Sequence, residues 1–369
     1  MKAEERAATL TGSELELVGI SKAFGSTQAA RDCNLSVGRG EVIALLGPSG
    51  CGKSTLLNIV AGFETPDSGS VLLRGKKLND VPPHKRNVAM VFQHYALFPH
   101  LTAADNIAYG LRARRKTAAQ VRERVDAMLA LLKLDGLGGR YPSQLSGGQR
   151  QRVAIARALA VDPDILLLDE SFSALDKNLR EEMQLELSLL LHRLHITTIL
   201  VTHDQREAFS LADRVAVMEA GRIAQIGTPR EMYETPVNSY VLQFLGSSNR
   251  LSVEVTREGE SARIQIAPGL EFTTENIPED LVGKNTALLH LRTEDVLIGD
   301  SPSAVHRAEP GVITFTTFLG AQERVVILLG SQQIIVDRQA TSRNQRPAEL
   351  GAKVYLDFDP ARGRLSVVS

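Results

Sequence analysis

The chain has 369 residues, long for one ordinary domain and comfortable for two. Hydrophobic residues make up 43% and the formal net charge is −1, so each domain can bury a core, and the basic excess of a nucleic-acid carrier is missing. Two cysteines, Cys33 and Cys51, are too few for a secreted disulfide framework and are not a metal-type pair; a reducing compartment fits.

Met1 to Glu14 is polar and charged, without the apolar core of a signal peptide. No run of about 18 apolar residues occurs, so action at a membrane is expected to run through a partner. From there the chain alternates strand-like and helix-like patterns to about residue 240, as an α/β domain does. Glu41 to Leu46 is a short apolar run, and Lys53 to Ala61 reads as a helix. Between them, Gly47-Pro48-Ser49-Gly50-Cys51-Gly52-Lys53-Ser54 fits the pattern G-x-x-x-x-G-K-[ST]. Glycines let successive N–H groups turn inward around phosphate oxygens. The helix that follows, opening through Ser54 and Thr55, aims its positive end at the same anion. Lys53 adds a cation for the terminal phosphates, and Ser54 offers a hydroxyl to Mg²⁺. Cys51 is read as a small residue turned away from phosphate, with a thiol activated by the helix terminus as the alternative.

Val88 to Phe92 reads as a strand, with Gln93 at its end, and the stretch from about Thr102 to Ala160 as mostly helical. Thr117 and Gln120 have capping-box spacing ahead of the apolar positions Val121, Val125, Met128 and Leu132, and Ser146 and Gln149 repeat that spacing. Ser146 therefore caps a helix that opens on Gly147 and Gly148, and the exposed N–H groups there form a second anion site. Ile165 to Leu168 is a buried strand ending in Asp169 and Glu170. That position puts both acids at the mouth of the sheet, where open α/β sheets bind ligands. Asp169 would hold Mg²⁺, and Glu170 would orient and polarise an attacking water, an effect worth about 10²- to 10⁴-fold in rate. Asp176 to about His195 reads as a long helix, and Thr197 to Val201 as a buried strand followed by Thr202 and His203. After about Gly246 the texture changes to short, often alternating segments: Leu251–Val255, Ala262–Ile266, Ala287–Leu291, Val325–Leu329, Gln333–Val336 and Lys353–Phe358. Turn residues separate them, the pattern of a small β-barrel.

Leu145-Ser146-Gly147-Gly148-Gln149, running on through Arg150-Gln151-Arg152-Val153-Ala154-Ile155-Ala156-Arg157-Ala158-Leu159, resembles the signature motif of ABC-transporter ATPases. The rest of that family's set stands in order. Phe24 resembles the aromatic that stacks on adenine, and Gln93 the glutamine that touches the Mg²⁺ shell and senses the membrane partner. Ser173-Ala174-Leu175-Asp176 resembles the loop linking the two sites of a dimer, and His203 the switch histidine on the γ-phosphate. One departure is visible: Ser171 follows the catalytic acid where the family has proline. The resemblance implies a phosphate-loop α/β nucleotide-binding domain over residues 14–245, with a helical subdomain at about 94–160. It also implies an all-β, OB-like regulatory barrel over 246–369.

It implies further that the chain binds ATP and Mg²⁺ and works as a head-to-tail homodimer, Ser146 and Gly148 of one copy closing over phosphates held by Lys53 of the other. Integral-membrane permeases and, indirectly, a periplasmic or extracellular solute-binding protein complete the implied transporter. The implied location is the cytoplasmic face of the bacterial inner membrane, and polyamine is the first expectation for cargo. The apolar stretch Gln93 to Pro99 is the expected permease contact, with Phe98 packed inward and Tyr95 and Leu97 facing the partner. A soluble ABC ATPase of a non-transport process is the alternative, set back by the absence of long coiled-coil insertions and of a second nucleotide domain. A GTPase or small-molecule kinase would leave the signature string unexplained.

Overall fold

The computed structural model describes residues 13–170, 177–268, 270–275, 277–278, 281, 283–302, 310–340 and 348–367. Asp176 and Ser171 lie outside the described residues, as does the rest of 171–176. The chain divides into two compact units between Met232 and Tyr233.

The first unit is built on two sheets. Two twelve-residue strands, β1 (Ser13–Phe24) and β2 (Thr27–Gly38), pair antiparallel and are joined by β4 (Ser68–Leu73) and β5 (Lys76–Lys77) in the order β2-β1-β4-β5. The second sheet has β3 (Val42–Leu46), β6 (Val88–Val91), β7 (Ile165–Asp169), β8 (Thr197–Thr202), β9 (Arg214–Glu219) and β10 (Arg222–Gly227) in the order β10-β9-β3-β8-β7-β6. β9, β3, β8, β7 and β6 run parallel, and only β10 is reversed. Covered on both faces, parallel strands need continuous apolar runs; Val42 to Leu46 and Ile165 to Leu168 are buried throughout. Helix α1 (Lys53–Ala61) follows β3. Buried Arg86 donates to the carbonyls of Ile59 and Val60 at 2.7 and 2.9 Å, supplying the partners that the last turn of α1 lacks.

The helical insert holds α2 (Ala103–Ala113), α3 (Ala118–Leu131) and α4 (Gly147–Ala160). Thr117 and Gln120 close a capping box on α3, and Ser146 and Gln149 close another on α4, each worth about 1 kcal/mol. After β7 come α5 (Lys177–Leu194) and, beyond β8, α6 (Gln205–Leu211); α7 (Pro229–Glu234) lies at the boundary between the units.

The second unit carries α8 (Ser239–Phe244) and ten strands among its described residues: β11 (Ser248–Glu258), β12 (Ser261–Ala267), β13 (Leu270–Thr274), β14 (Thr286–Arg292), β15 (Val296–Gly299), β16 (Gly311–Phe318), β17 (Gln322–Leu329), β18 (Gln332–Gln339), β19 (Lys353–Phe358) and β20 (Arg364–Ser366). They form two five-stranded antiparallel sheets, β13-β12-β11-β14-β20 and β15-β19-β16-β17-β18, around one core that includes Leu251, Ile264, Leu289, Ile327 and Leu356. This is the all-β barrel that the alternating segments imply. Its contacts begin at Tyr233, ahead of the expected join at 245/246. The reason lies in Arg292, which is buried, stacks 3.9 Å over the Tyr233 ring and donates to the carbonyls of Tyr233 and Leu242.

Candidate functional site

Four neighbouring strands, β3, β8, β7 and β6, end side by side in the register Leu46↔Thr202, Asp169↔Val201 and Val91↔Leu168. At or just past their ends stand the phosphate loop, His203, Asp169–Glu170 and Gln93. Stretches far apart in sequence thus meet at the carboxyl edge of a parallel sheet.

The loop from Gly47 to Gly52 depends on glycine at two points. Gly52 has φ +107°, and a Cβ there would stand 2.0 Å from the Ala29 carbonyl oxygen. A Cβ at Gly47 would meet Cys51 Sγ at 2.6 Å and the Met218 carbonyl oxygen at 2.7 Å. Ser49 and Gly50 are exposed, while the Lys53 side chain is buried and donates to the carbonyls of Gly47 (2.7 Å) and Pro48 (3.0 Å). Ser54 is exposed and Thr55 half-buried on the first turn of α1. Cys51 is buried; burial pushes its thiol up, opposed by the charge of Lys53. Burial of this kind favours the protonated thiol over the reactive thiolate.

Asp169 and Glu170 take different surroundings. Burial and the neighbouring Glu170 charge push the Asp169 carboxyl up, while Lys53 and a hydrogen bond from Ser54 pull it back. Glu170 has left-handed backbone, φ +44°, and its N–H donates to the Val201 carbonyl at 3.0 Å. This turn lifts its side chain between two partners: Gln93 Nε2 donates to Oε2 at 3.2 Å, and His203 Nδ1 lies 3.2 Å from Oε1. Gln93 and His203 are both exposed, so the carboxylate is held by side chains that themselves face outward.

Several expected residues stand apart. Phe24 ends β1 in the antiparallel sheet, 47% exposed, with Lys22 Nζ 5.3 Å from its ring centre. Ser146, Gly147, Gly148 and Gln149 open α4, with Ser146 Oγ accepting from Gln149 N and Gln149 Oε1 accepting from Ser146 N. Asp176 falls outside the described residues.

Tyr95 corrects the expectation that it faces a partner: it is only 6% exposed. Its backbone is left-handed, and Arg157 donates to its carbonyl (2.9 Å) and to that of Ala96 (2.7 Å), which turns the ring inward. Phe98 packs against Tyr109 with ring centres 4.4 Å apart, and Leu97 is half-buried.

Two residues behind the site escaped the motif reading. Asp204 caps α6 through the N–H groups of Arg206 and Glu207. Glu207 is buried and accepts from Thr202 Oγ1 at 2.7 Å. Burial pushes its carboxyl up to about 7; the Thr202 bond opposes this, and Asp204 and Glu170 add to it. The spacing Asp204-x-x-Glu207 is a helix-start signal, and it was the available clue.

A glycine-built phosphate loop, a buried acid beside Ser54, and a second acid set between glutamine and histidine define a phosphate-loop ATPase. The comparisons narrow the class. The family model described as ABC transporter matches residues 30–173, and the one described as TOBE domain matches residues 289–365. The sulfate/thiosulfate import ATP-binding protein CysA of Bordetella bronchiseptica is 52% identical over 361 residues, 96% of this chain and 99% of that one. The spermidine/putrescine import ATP-binding protein PotA of Methylococcus capsulatus is 48% identical over 312 residues, 84% of this chain and 80% of that one. The solved dimeric post-hydrolysis state of the ATP-binding cassette MJ0796, bound to ADP and Pi, matches with a TM-score of 0.53 at 32% identity, covering 58% of this chain and 99% of that chain. The chain belongs to the ABC transporter family, as an ATP-hydrolysing, ATP-binding subunit of the import type that carries a C-terminal TOBE domain. No helix among the described residues is long and apolar enough to cross a membrane.

Proposed function

We propose that the protein hydrolyses ATP as a head-to-tail homodimer. In this reading it uses the opening and closing of that dimer to drive solute uptake through integral-membrane permeases at the cytoplasmic face of a bacterial plasma membrane. A solute-binding protein outside the membrane would deliver the cargo. The observation that carries the reading is Glu170, held between Gln93 and His203 beside the phosphate loop.

In this scheme the Gly47–Ser54 backbone and Lys53 bind the phosphates, and the exposed ring of Phe24 offers a face to adenine. Glu170 orients a water for in-line attack and accepts its proton, and His203 positions the γ-phosphate. Positioning and charge placement are the main contributions that a protein can make to phosphoryl transfer.

The donor set fits Mg²⁺. Ser54 and Asp169 are hard oxygen donors already in contact, and Asp169 is an acid whose ionised form is penalised by burial and by Glu170, a penalty that a cation relieves. Among the described residues no cluster of three His, Cys, Asp or Glu side chains could hold a metal by itself, as suits an ion that shares its shell with substrate phosphates. Ser54, Asp169 and, through its shell, Gln93 would hold it; when bound, it would neutralise phosphate charge.

The second copy would enter through the capped start of α4, where Ser146, Gly147, Gly148 and Gln149 present N–H groups to an anion. The MJ0796 cassette, solved as a dimer, supports the paired state. A γ-phosphate contacted from both sides biases the pair toward closure, and its loss releases them.

For the solute, the 52% identity to a sulfate/thiosulfate import subunit over nearly the whole of both chains favours a small divalent oxoanion. Polyamine is the second reading, on 48% identity over a shorter span. Reconstitution with the cognate permeases and binding protein separates the two: ATP-dependent accumulation of labelled sulfate supports the first, accumulation of labelled spermidine alone supports the second, and uptake of neither overturns both.

A further inference from the structure

We infer that the C-terminal unit carries a binding site for a small organic anion, with a carboxylate held at Arg364 and His290 and an apolar body laid against the segment 235–242. A cavity of about 310 Å³ lies over the outer face of the sheet edge made by β14 and β20, at the small end of the usual range for ligand pockets. The cross-strand pair His290 opposite Arg364 builds its floor together with Ser366, two residues further along β20. Residues 288, 290 and 292 alternate with Leu289 and Leu291, which point into the barrel core. The imidazole is thus on the outer face, beneath the segment that leads into α8.

The chemistry of the lining is one-sided. Arg364, His290, Ser366, Thr235, Asn238 and Ser239 contribute polar groups, and among the described residues no Asp or Glu lines the cavity. The Arg364 guanidinium bonds to the backbone carbonyls of Ala361, Gly363 and Glu234 at 3.2 to 3.5 Å and meets no carboxylate among the described residues. Elsewhere in this unit arginines do pair: Arg324 with Asp337 and Arg338 with Glu323. Arg364 is therefore a half-buried fork of donors with room for an anion, and a planar fork suits a carboxylate.

His290 adds an independent observation. It is 1% exposed; its Nε2 bonds Ser366 Oγ at 2.8 Å, and its Nδ1 has no hydrogen-bond partner among the described residues. A buried polar atom left unpaired costs about 1–3 kcal/mol, and it calls for a function or a missing partner. Burial, helped by the charge of Arg250 on β11, holds the imidazole below its ordinary range, so it is neutral. In the tautomer that accepts from Ser366 at Nε2, Nδ1–H is left as a donor. Leu242, Pro236 and Pro278 line the remaining wall, which a bare inorganic anion would leave uncovered.

The test uses the full-length protein with its nucleotide site saturated by Mg-ADP, so that added anions cannot report from the phosphate loop. Butyrate and succinate are titrated as organic probes, and inorganic phosphate as the bare-anion arm, while the side-chain ¹⁵N resonances of His290 are followed, assigned with His290→Gln. We expect saturable shifts with at least one carboxylate and at least a tenfold rise in apparent Kd in Arg364→Gln. Ser366→Ala, which keeps the cation and removes only the partner of Nε2, serves if Arg364→Gln does not fold, and it should weaken binding several-fold. Unmoved His290 resonances up to carboxylate concentrations on the order of 10 mM, shifts that survive both substitutions, or a response to phosphate alone would each overturn the inference.

Discussion

His203 Nδ1 lies 3.2 Å from Glu170 Oε1, and the opposite oxygen of the same carboxylate accepts from Gln93 Nε2. The acid is thus clamped by residues that follow two other strands, β8 and β6, on either side of its own β7. Its aim depends on both. His203→Ala should lower kcat for ATP by about 10²-fold or more while KM stays within a few-fold, because the contact matters to the reacting phosphate and not to ground-state binding. Gln93→Ala should give a smaller loss in kcat. Steady-state kinetics check both, and a His203→Ala enzyme that turns over normally removes the histidine from this role.

Lys53 is expected to act on binding. Its ammonium now rests on the carbonyls of Gly47 and Pro48, a cation already gathered at the loop. Lys53→Ala should weaken ATP affinity by about tenfold or more, the worth of roughly 1.4 kcal/mol, in fluorescence titration with a labelled nucleotide. Unchanged affinity would count against the phosphate-loop assignment.

Gly52 tests the geometry of the loop apart from its charge. With a left-handed φ and a Cβ position 2.0 Å from the Ala29 carbonyl oxygen, Gly52→Ala must displace backbone. We expect a loss of about 1–3 kcal/mol in stability together with loss of nucleotide binding. Gly50, which has nothing among the described residues within 4 Å of its Cβ position, should tolerate alanine better, its cost being the left-handed backbone alone.

Glu207 predicts a pH dependence. The folded protein holds the proton of this buried carboxyl more tightly than an unfolded chain does, up to about 7. Stability on this account is greatest below the ordinary glutamate range and falls as pH rises toward neutrality, by about 3 kcal/mol at most. Glu207→Gln, which keeps an acceptor for Thr202, should flatten that slope between about pH 5 and 7.5. Denaturant unfolding of both proteins across that range checks it; parallel pH curves would show that Glu207 is ionised throughout.

Much of the site could be read from the sequence because its chemistry constrains residue type and spacing. A phosphate cradle needs glycines where Gly47 and Gly52 stand, and the runs 165–168 and 199–201 are apolar because both faces of a parallel strand are covered. The capping boxes at Thr117 and Ser146 are local, three-residue relationships, so they too were legible. Tyr95 was not: its inward turn depends on Arg157, 62 residues away in sequence. The β1–β2 hairpin also escaped, since its long strands carry register shifts that blur the alternation. Glu207 gave a helix-start signal, but its burial follows from tertiary packing behind His203, which no spacing rule encodes.

The central claim is that two copies enclose nucleotide between the Lys53 loop of one and the Ser146 helix start of the other. Analytical ultracentrifugation of Glu170→Gln with saturating Mg-ATP tests it most directly, because that variant should retain binding while cleavage falls by about 10²-fold or more. The account predicts a stable dimer with ATP and a monomer without nucleotide or with ADP. A variant that binds ATP and sediments only as a monomer, even with its cognate permeases reconstituted beside it, would contradict the account.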